Sequence, residues 1–113
     1  MAAIHVLKSW PQFFEAIATS QRVHELRRND RDYAVGDTLL LQEFDPVEGR
    51  YSGRELRVQV TSMTSADVPC AVSGEGLHPD FCILSIALHI ADVPRAGIPV
   101  RTETPAERLL TAP

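Results

Sequence analysis

Apolar residues recur along this chain with two distinct periods. Trp10, Phe13, Phe14, Ile17 and Ala18 fall at the i, i+3, i+4, i+7 spacing of one helical face, with Gln12 and Glu15 on the other side. This predicts a helix from about Trp10 to Thr19. Ser9 stands where an N-cap hydroxyl is wanted, Gln12 completes a capping box, and Pro11 is tolerated in the first turn. Leu56, Val58 and Val60 instead alternate with Glu55, Arg57 and Gln59, the period of a half-buried strand. The runs Thr38–Phe44 and Phe81–Leu88 predict two further strands, the first apolar on both faces at its centre. Ile4–Leu7 reads as a short opening strand and Val23–Arg28 as another.

Between these runs lie breaks with their own chemistry. Asn29-Asp30-Arg31-Asp32 is a polar turn, Val35-Gly36-Asp37 a second turn, and Asp45-Pro46-Val47-Glu48-Gly49-Arg50 a hairpin loop. Ser65 to Pro79 holds Pro69, Gly74, Gly76 and Pro79 and reads as a long loop. From Asp92 onward come four of the chain's eight prolines and no period. The predicted order of strand, helix and then strands describes an α+β, mainly β domain. One early helix in such a chain plugs one end of a small closed or half-closed β-barrel. The 113 residues leave room for one domain, expected over residues 1–91, with a flexible or loosely docked C-terminal tail over 92–113.

Composition narrows the classes of function. No stretch approaches the ~20 apolar residues of a membrane span, so no membrane partner is expected. The opening Met1-Ala2-Ala3-Ile4-His5 lacks the pattern of a signal peptide, and a cytoplasmic setting is the default. Cys70 and Cys82 show neither C-x-x-C nor zinc-ligand spacing and are expected to be free thiols. His5, His24, His78 and His89 are scattered, so no metal is expected, and the absence of a phosphate-cradling glycine loop predicts no nucleotide cofactor of that kind. The net charge of −4 argues against indiscriminate polyanion binding. A local basic patch can still hold a phosphate, because exposed charges act only over about a Debye length.

Such a patch is present. Arg22, Glu25, Arg27, Arg28 and Arg31 crowd together with Asp30 and Asp32. Guanidinium groups suit bidentate recognition of phosphate or a base edge. The plainer reading pairs Arg27, Arg28 and Arg31 with Asp30, Asp32 and Asp37 on a solvated surface. On a strand over Val23–Arg28, Leu26 is expected to point into the core with His24 and Arg28 leaning the same way. Glu25 and Arg27 then occupy the opposite face. Trp10, Phe13 and Phe14 could stack on bases, but their helical spacing assigns them to the core.

The segment His5-Val6-Leu7-Lys8-Ser9-Trp10-Pro11-Gln12-Phe13-Phe14-Glu15-Ala16 is similar to the opening of small phage and bacterial ASCH-like proteins. Glu25 to Asp37 resembles their E-[IL]-R-x-N-D-R-D-[FY]-x-V-G-D signature. Glu43-Phe44-Asp45-Pro46, Gly49 and Tyr51-Ser52-Gly53-Arg54 resemble the hairpin that follows, and the likeness runs from about residue 4 to residue 90. It implies a PUA-like barrel of the ASCH type, a fold associated with RNA and with modified bases. In the wider group a G-x-K-x-x-x-x-R pattern lies over the barrel cleft; here Ser20 stands at the glycine, Arg22 at the lysine, and Arg27 keeps the arginine. One branch hydrolyses acetylated cytidine with a lysine, a threonine and a glutamate. Arg22 stands near that lysine and Glu25 near the threonine, and an arginine stays charged where a lysine can act as a base.

The expectation is therefore RNA or nucleotide binding, a modified base included, in a cleft between the helix and the Val23–Arg28 strand. Arg22, Glu25, Arg27, Arg28 and Arg31 are its candidate ligand-binding residues. No catalytic residue is named with that reading. Two alternatives stand beside it: a nucleoside amidohydrolase or ribonuclease using Glu25, and a phage-derived factor that binds a host protein.

Overall fold

The computed structural model describes residues 2–89, and the predicted tail lies outside them. Along the chain run β1 (Ile4–Ser9), α1 (Pro11–Ala18), β2 (His24–Arg28), β3 (Thr38–Asp45), β4 (Arg50–Thr64), α2 (Ser73–Gly76) and β5 (Phe81–Leu88). The strands form a 5-stranded sheet in the order β1-β3-β4-β5-β2. β1 and β3, separated in the chain by α1 and β2, pair in parallel, from Ile4 opposite Thr38 to Ser9 opposite Glu43. The other neighbours are antiparallel. The sheet curls into a half-barrel, as a mainly β chain with a single early helix was expected to do.

Period two decides which side chains fill the concave face. Leu39 and Leu41 of β3, Val58 and Val60 of β4, and Leu84 and Ile86 of β5 are all buried there. Phe14 and Ile17 of α1 close over them, both essentially excluded from solvent. Each such side chain contributes roughly 2 kcal/mol through burial. Cys82 sits among them, Cys70 is exposed, and both are free thiols. Residue shifts in the pairing at Gln42/Phe44 and Val60/Ser62 mark bulges, which bend and twist a strand locally.

Asp37 pins the start of the sheet. Its carboxylate accepts the Ala3 N–H at 3.0 Å, His5 Nε2–H at 2.8 Å and the Ala34 N–H at 3.0 Å. The preceding Gly36 holds φ +98°, a conformation that glycine adopts without penalty. The partner of Asp37 is thus a histidine and the backbone, and not an arginine. Burial opposes ionisation of Asp37, but these hydrogen bonds prevail and hold the carboxyl below its ordinary value.

Three local expectations change. Ser9 ends β1 and does not cap the helix; Trp10 is the N-cap residue, and no side chain caps the helix start. β4 begins at Arg50, so the hairpin strand is longer than its alternating segment alone implied. The long loop after it contains the single turn α2.

Beyond the C-cap of α1, Ser20 has φ +60°. A left-handed residue with a Cβ is strained by about 1–2 kcal/mol, while glycine gives back about 0.4–1 kcal/mol through the unfolded chain. Ser20→Gly is therefore expected to stabilise the fold by about 0.5–1 kcal/mol. A thermal melt of the variant unchanged or lower than wild type would disprove this.

Candidate functional site

The end of β1, the first turn of α1 and β2 enclose a cleft of about 310 Å³. Its polar centre is Glu25, only 4% exposed. Leaving a carboxylate in such a place costs several kcal/mol unless it is paired, and here it is. Arg27 Nε donates to Glu25 Oε1 at 2.8 Å, and Arg22 Nε lies 4.0 Å from Oε2.

This reverses the expected orientation of β2. Glu25 is buried and Arg27 half-buried, whereas Leu26 is 56% exposed together with His24 and Arg28. The inner surface facing β2 is the polar cleft, so the ion pair turns inward, while Leu26 stays exposed at the cleft's rim.

Arg27 also joins the two ends of the sheet. Val6 and Lys8 turn their carbonyls to the open edge of β1, because the alternate residues point theirs toward β3. Arg27 Nη2 donates to the Lys8 carbonyl at 2.7 Å, and Arg31 Nη1 to the Val6 carbonyl at 2.9 Å. Guanidinium groups bridge where a closed barrel would have a backbone ladder. The phenol of Tyr33 lies in the field of the same two arginines; burial pushes its pKa up and their charges pull against it.

One wall of the cleft is aromatic. Trp10 and Phe13 stack with centroids 6.1 Å apart at 25°, and the Arg22 guanidinium lies 4.6 Å from the Phe13 centroid. Both rings had been assigned to the core by their spacing. Instead they are 48% and 37% exposed and line the cleft. Two buried side-chain atoms among the described residues have no hydrogen-bond partner, Ser9 Oγ and Arg22 Nε, and both residues line this cleft.

Of the residues singled out in the sequence, Arg22, Glu25 and Arg27 come together. Arg31 is turned to the edge of β1. Arg28 lies on the outer face, 4.8 Å over the Phe81 ring and 3.9 Å from Asp80 in an exposed ion pair, a contact worth at most about 1 kcal/mol. The pairing of Arg27, Arg28 and Arg31 with Asp30, Asp32 and Asp37 does not occur.

A second polar group stands beside the cleft, across the β1–β3 pair. Glu43, opposite Ser9, is 8% exposed and accepts the Ser52 hydroxyl at 2.6 Å. Arg54 lies 3.7 Å from Glu43 and 3.1 Å from Glu15 of α1, bracing the hairpin against the helix.

A family model described as a domain of unknown function, DUF3850, matches residues 4–86. The chain belongs to the DUF3850 family. A protein of Escherichia phage P2, named as an uncharacterized 12.9 kDa protein in the GpA 3′ region, is 36% identical over 64 residues. That alignment covers 57% of this chain and 57% of the phage protein, so the chain spans little more than half of that relative. The DUF3850 match takes in all residues of the cleft. Within this DUF3850 domain, sequence reasoning missed Ser9, Trp10 and Phe13. A tryptophan directly before a helix-starting proline was the available signal that the ring sits at the helix mouth.

Among the described residues no group of three His, Cys, Asp or Glu side chains is placed to hold a metal ion, and no helix is long and apolar enough to cross a membrane.

Proposed function

We propose that the cleft binds a nucleotide or an unpaired base of RNA, and that the half-barrel is a PUA-like fold of the ASCH type. The observation that carries the reading is the coincidence, in one cleft, of an exposed stacked Trp10–Phe13 pair with two buried polar atoms lacking partners. Buried polar groups without partners are rare in folded proteins and call for a ligand or water. Base faces stack on such rings irrespective of sequence, each contributing about 1–3 kcal/mol. Glu25 Oε2, with Arg22 Nε no nearer than 4.0 Å, has lone pairs to accept the N–H groups of a base edge. Arg22 Nε and Ser9 Oγ supply the complementary donors.

A nucleoside amidohydrolase or ribonuclease would need Glu25 as acid or base. In this cleft Glu25 is held by Arg27 Nε at 2.8 Å, an arrangement suited to a fixed acceptor. The binding reading is therefore preferred.

Trp10 is the chain's single tryptophan, so its emission reports the site directly. Titration with nucleoside monophosphates, single-stranded RNA, duplex RNA and single-stranded DNA is expected to quench it for mononucleotides and single strands. Arg22→Ala is expected to weaken RNA binding roughly tenfold, within the range of about 1–3 kcal/mol for one base-edge contact. A folded protein that binds none of these ligands would end the proposal.

A further inference from the structure

The cleft does not end at Trp10. Lys8 points outward from β1, and Trp10 continues the strand with extended backbone, φ −67° and ψ 150°. Alternation therefore returns Trp10 to the Lys8 side. The β1–β3 pairing ends at Ser9 opposite Glu43, so Trp10 and Phe44 each follow directly on its last pair. Phe44 in turn is opposite Tyr51 on β4, their rings meeting edge to face at 5.0 Å. The Lys8 ammonium lies 4.3 Å from the Phe44 centroid, and Lys8 also lines the cleft. The result is two aromatic pairs, Trp10–Phe13 and Phe44–Tyr51, with the Lys8 ammonium on Phe44 and at the cleft between them. Trp10 is 48% exposed and Tyr51 50%.

Two large rings half in water, Trp10 in one pair and Tyr51 in the other, with one ammonium between the pairs, do not serve the core. They match the alternation of base and phosphate along a single strand. Two strand spacings place Tyr51 about 10 Å from Trp10, within reach of a neighbouring nucleotide of the same strand. We propose that the domain takes a single-stranded nucleic acid across these two pairs. On this reading one base enters the cleft against Trp10 and Phe13, a neighbouring base stacks on Tyr51 braced by Phe44, and Lys8 holds the phosphate between them. This rests on the base-binding reading of the cleft and extends it from one nucleotide to a strand.

The test compares nucleoside monophosphates with mixed-sequence hexanucleotides of RNA and of DNA, following Trp10 emission in wild type, Tyr51→Ala and Tyr51→Phe. The hexanucleotide is expected to bind at least tenfold tighter than the best mononucleotide. Tyr51→Ala should weaken hexanucleotide binding roughly tenfold, the lower to middle part of the range for one lost stack, and leave mononucleotide binding unchanged. Tyr51→Phe should retain the hexanucleotide affinity, since the ring and not the hydroxyl does the stacking. Whichever of RNA or DNA shows the Tyr51-dependent gain is the strand the two pairs accept. Mononucleotide binding with no advantage for the hexanucleotide, or a hexanucleotide affinity indifferent to Tyr51→Ala, overturns the second stacking site alone. Absence of binding by mononucleotide and hexanucleotide alike overturns it together with the reading of the cleft.

Discussion

Replacing Asp37 with alanine is expected to lower the stability of the domain by about 3 kcal/mol, the cost of stripping a buried anion from several donors at once. In a domain of this size that corresponds to a fall in melting temperature of roughly 15 °C. The Ala3 and Ala34 N–H groups and the His5 ring all donate to this one carboxylate. Without it they lose their acceptor in a place where Asp37 itself is only 3% exposed. Asp37→Asn keeps one carbonyl acceptor and is expected to cost less. The same residue sets a pH dependence. Its folded-state carboxyl titrates below its ordinary value, so the unfolded chain binds the proton more readily. The stability it contributes is fully present above about pH 4, the unfolded value, and is lost as pH falls through the lower folded value. Urea unfolding between pH 2 and pH 7 should therefore show wild type losing stability on acidification more steeply than Asp37→Asn. Parallel profiles for the two proteins would show that Asp37 does not titrate as the structure implies.

Sequence pattern revealed the elements more readily than what they face. The i, i+3, i+4, i+7 spacing placed α1 correctly, and Phe14 and Ile17 are as buried as that spacing requires. Trp10 and Phe13 belong to the same series, but a period tells which side of a helix is apolar, not where the surface beneath it stops. β2 failed for a related reason. In His-Glu-Leu-Arg-Arg the lone leucine points by pattern to the inner face. That inference assumes the inner face is hydrocarbon, and it inverts wherever a strand borders a polar cleft.

Turn chemistry was legible because it is local. Gly36 and Gly49 have positive φ at the two turns where glycine was read as a turn residue. The Asp45 carboxylate accepts the Val47 and Glu48 N–H groups inside the hairpin loop. Partners distant in sequence were not legible. His5 meets Asp37 across the parallel β1–β3 pair, and Arg27 and Arg31 find carbonyls of β1 and not the aspartates near them in sequence. A cluster of charges gives the sign of a surface, while only the curl of the sheet decides which arginines are consumed in closing it. That is why Arg22, Glu25 and Arg27 meet at the cleft, with Arg27 also bonded to β1, whereas Arg31 serves the frame alone and Arg28 faces away.

Glu25→Ala is expected to have the other large effect, because Glu25 serves both the frame and the cleft. Its removal leaves the Arg27 guanidinium without its anion and Arg22 without its nearest opposite charge. Breaking a buried pair from one side costs about 3–5 kcal/mol. The arginine side chains here keep about a quarter of their surface in water, 24% and 25%, so the lower end, about 3 kcal/mol, is expected. Part of that loss passes through Arg27 to the Lys8 carbonyl, since an arginine no longer held at Nε is free to swing off the edge of β1. A double-mutant cycle measures this. Glu25→Ala combined with Arg27→Ala should cost clearly less than the sum of the single changes, with a coupling of about 1–3 kcal/mol. Additive losses in urea unfolding would mean that the two residues act independently. Glu25→Gln separates frame from cleft. Its amide oxygen can still accept from Arg27 Nε, so the fold should lose only about 1–2 kcal/mol, as for a weakened charge-assisted bond. The amide NH2 then stands where Oε2 had been, opposing the donor edge of a base with another donor. Nucleotide affinity, read from Trp10 quenching, should fall at least tenfold for this folded variant, about 1.4 kcal/mol or more. Unchanged quenching would confine Glu25 to holding the two ends of the sheet together.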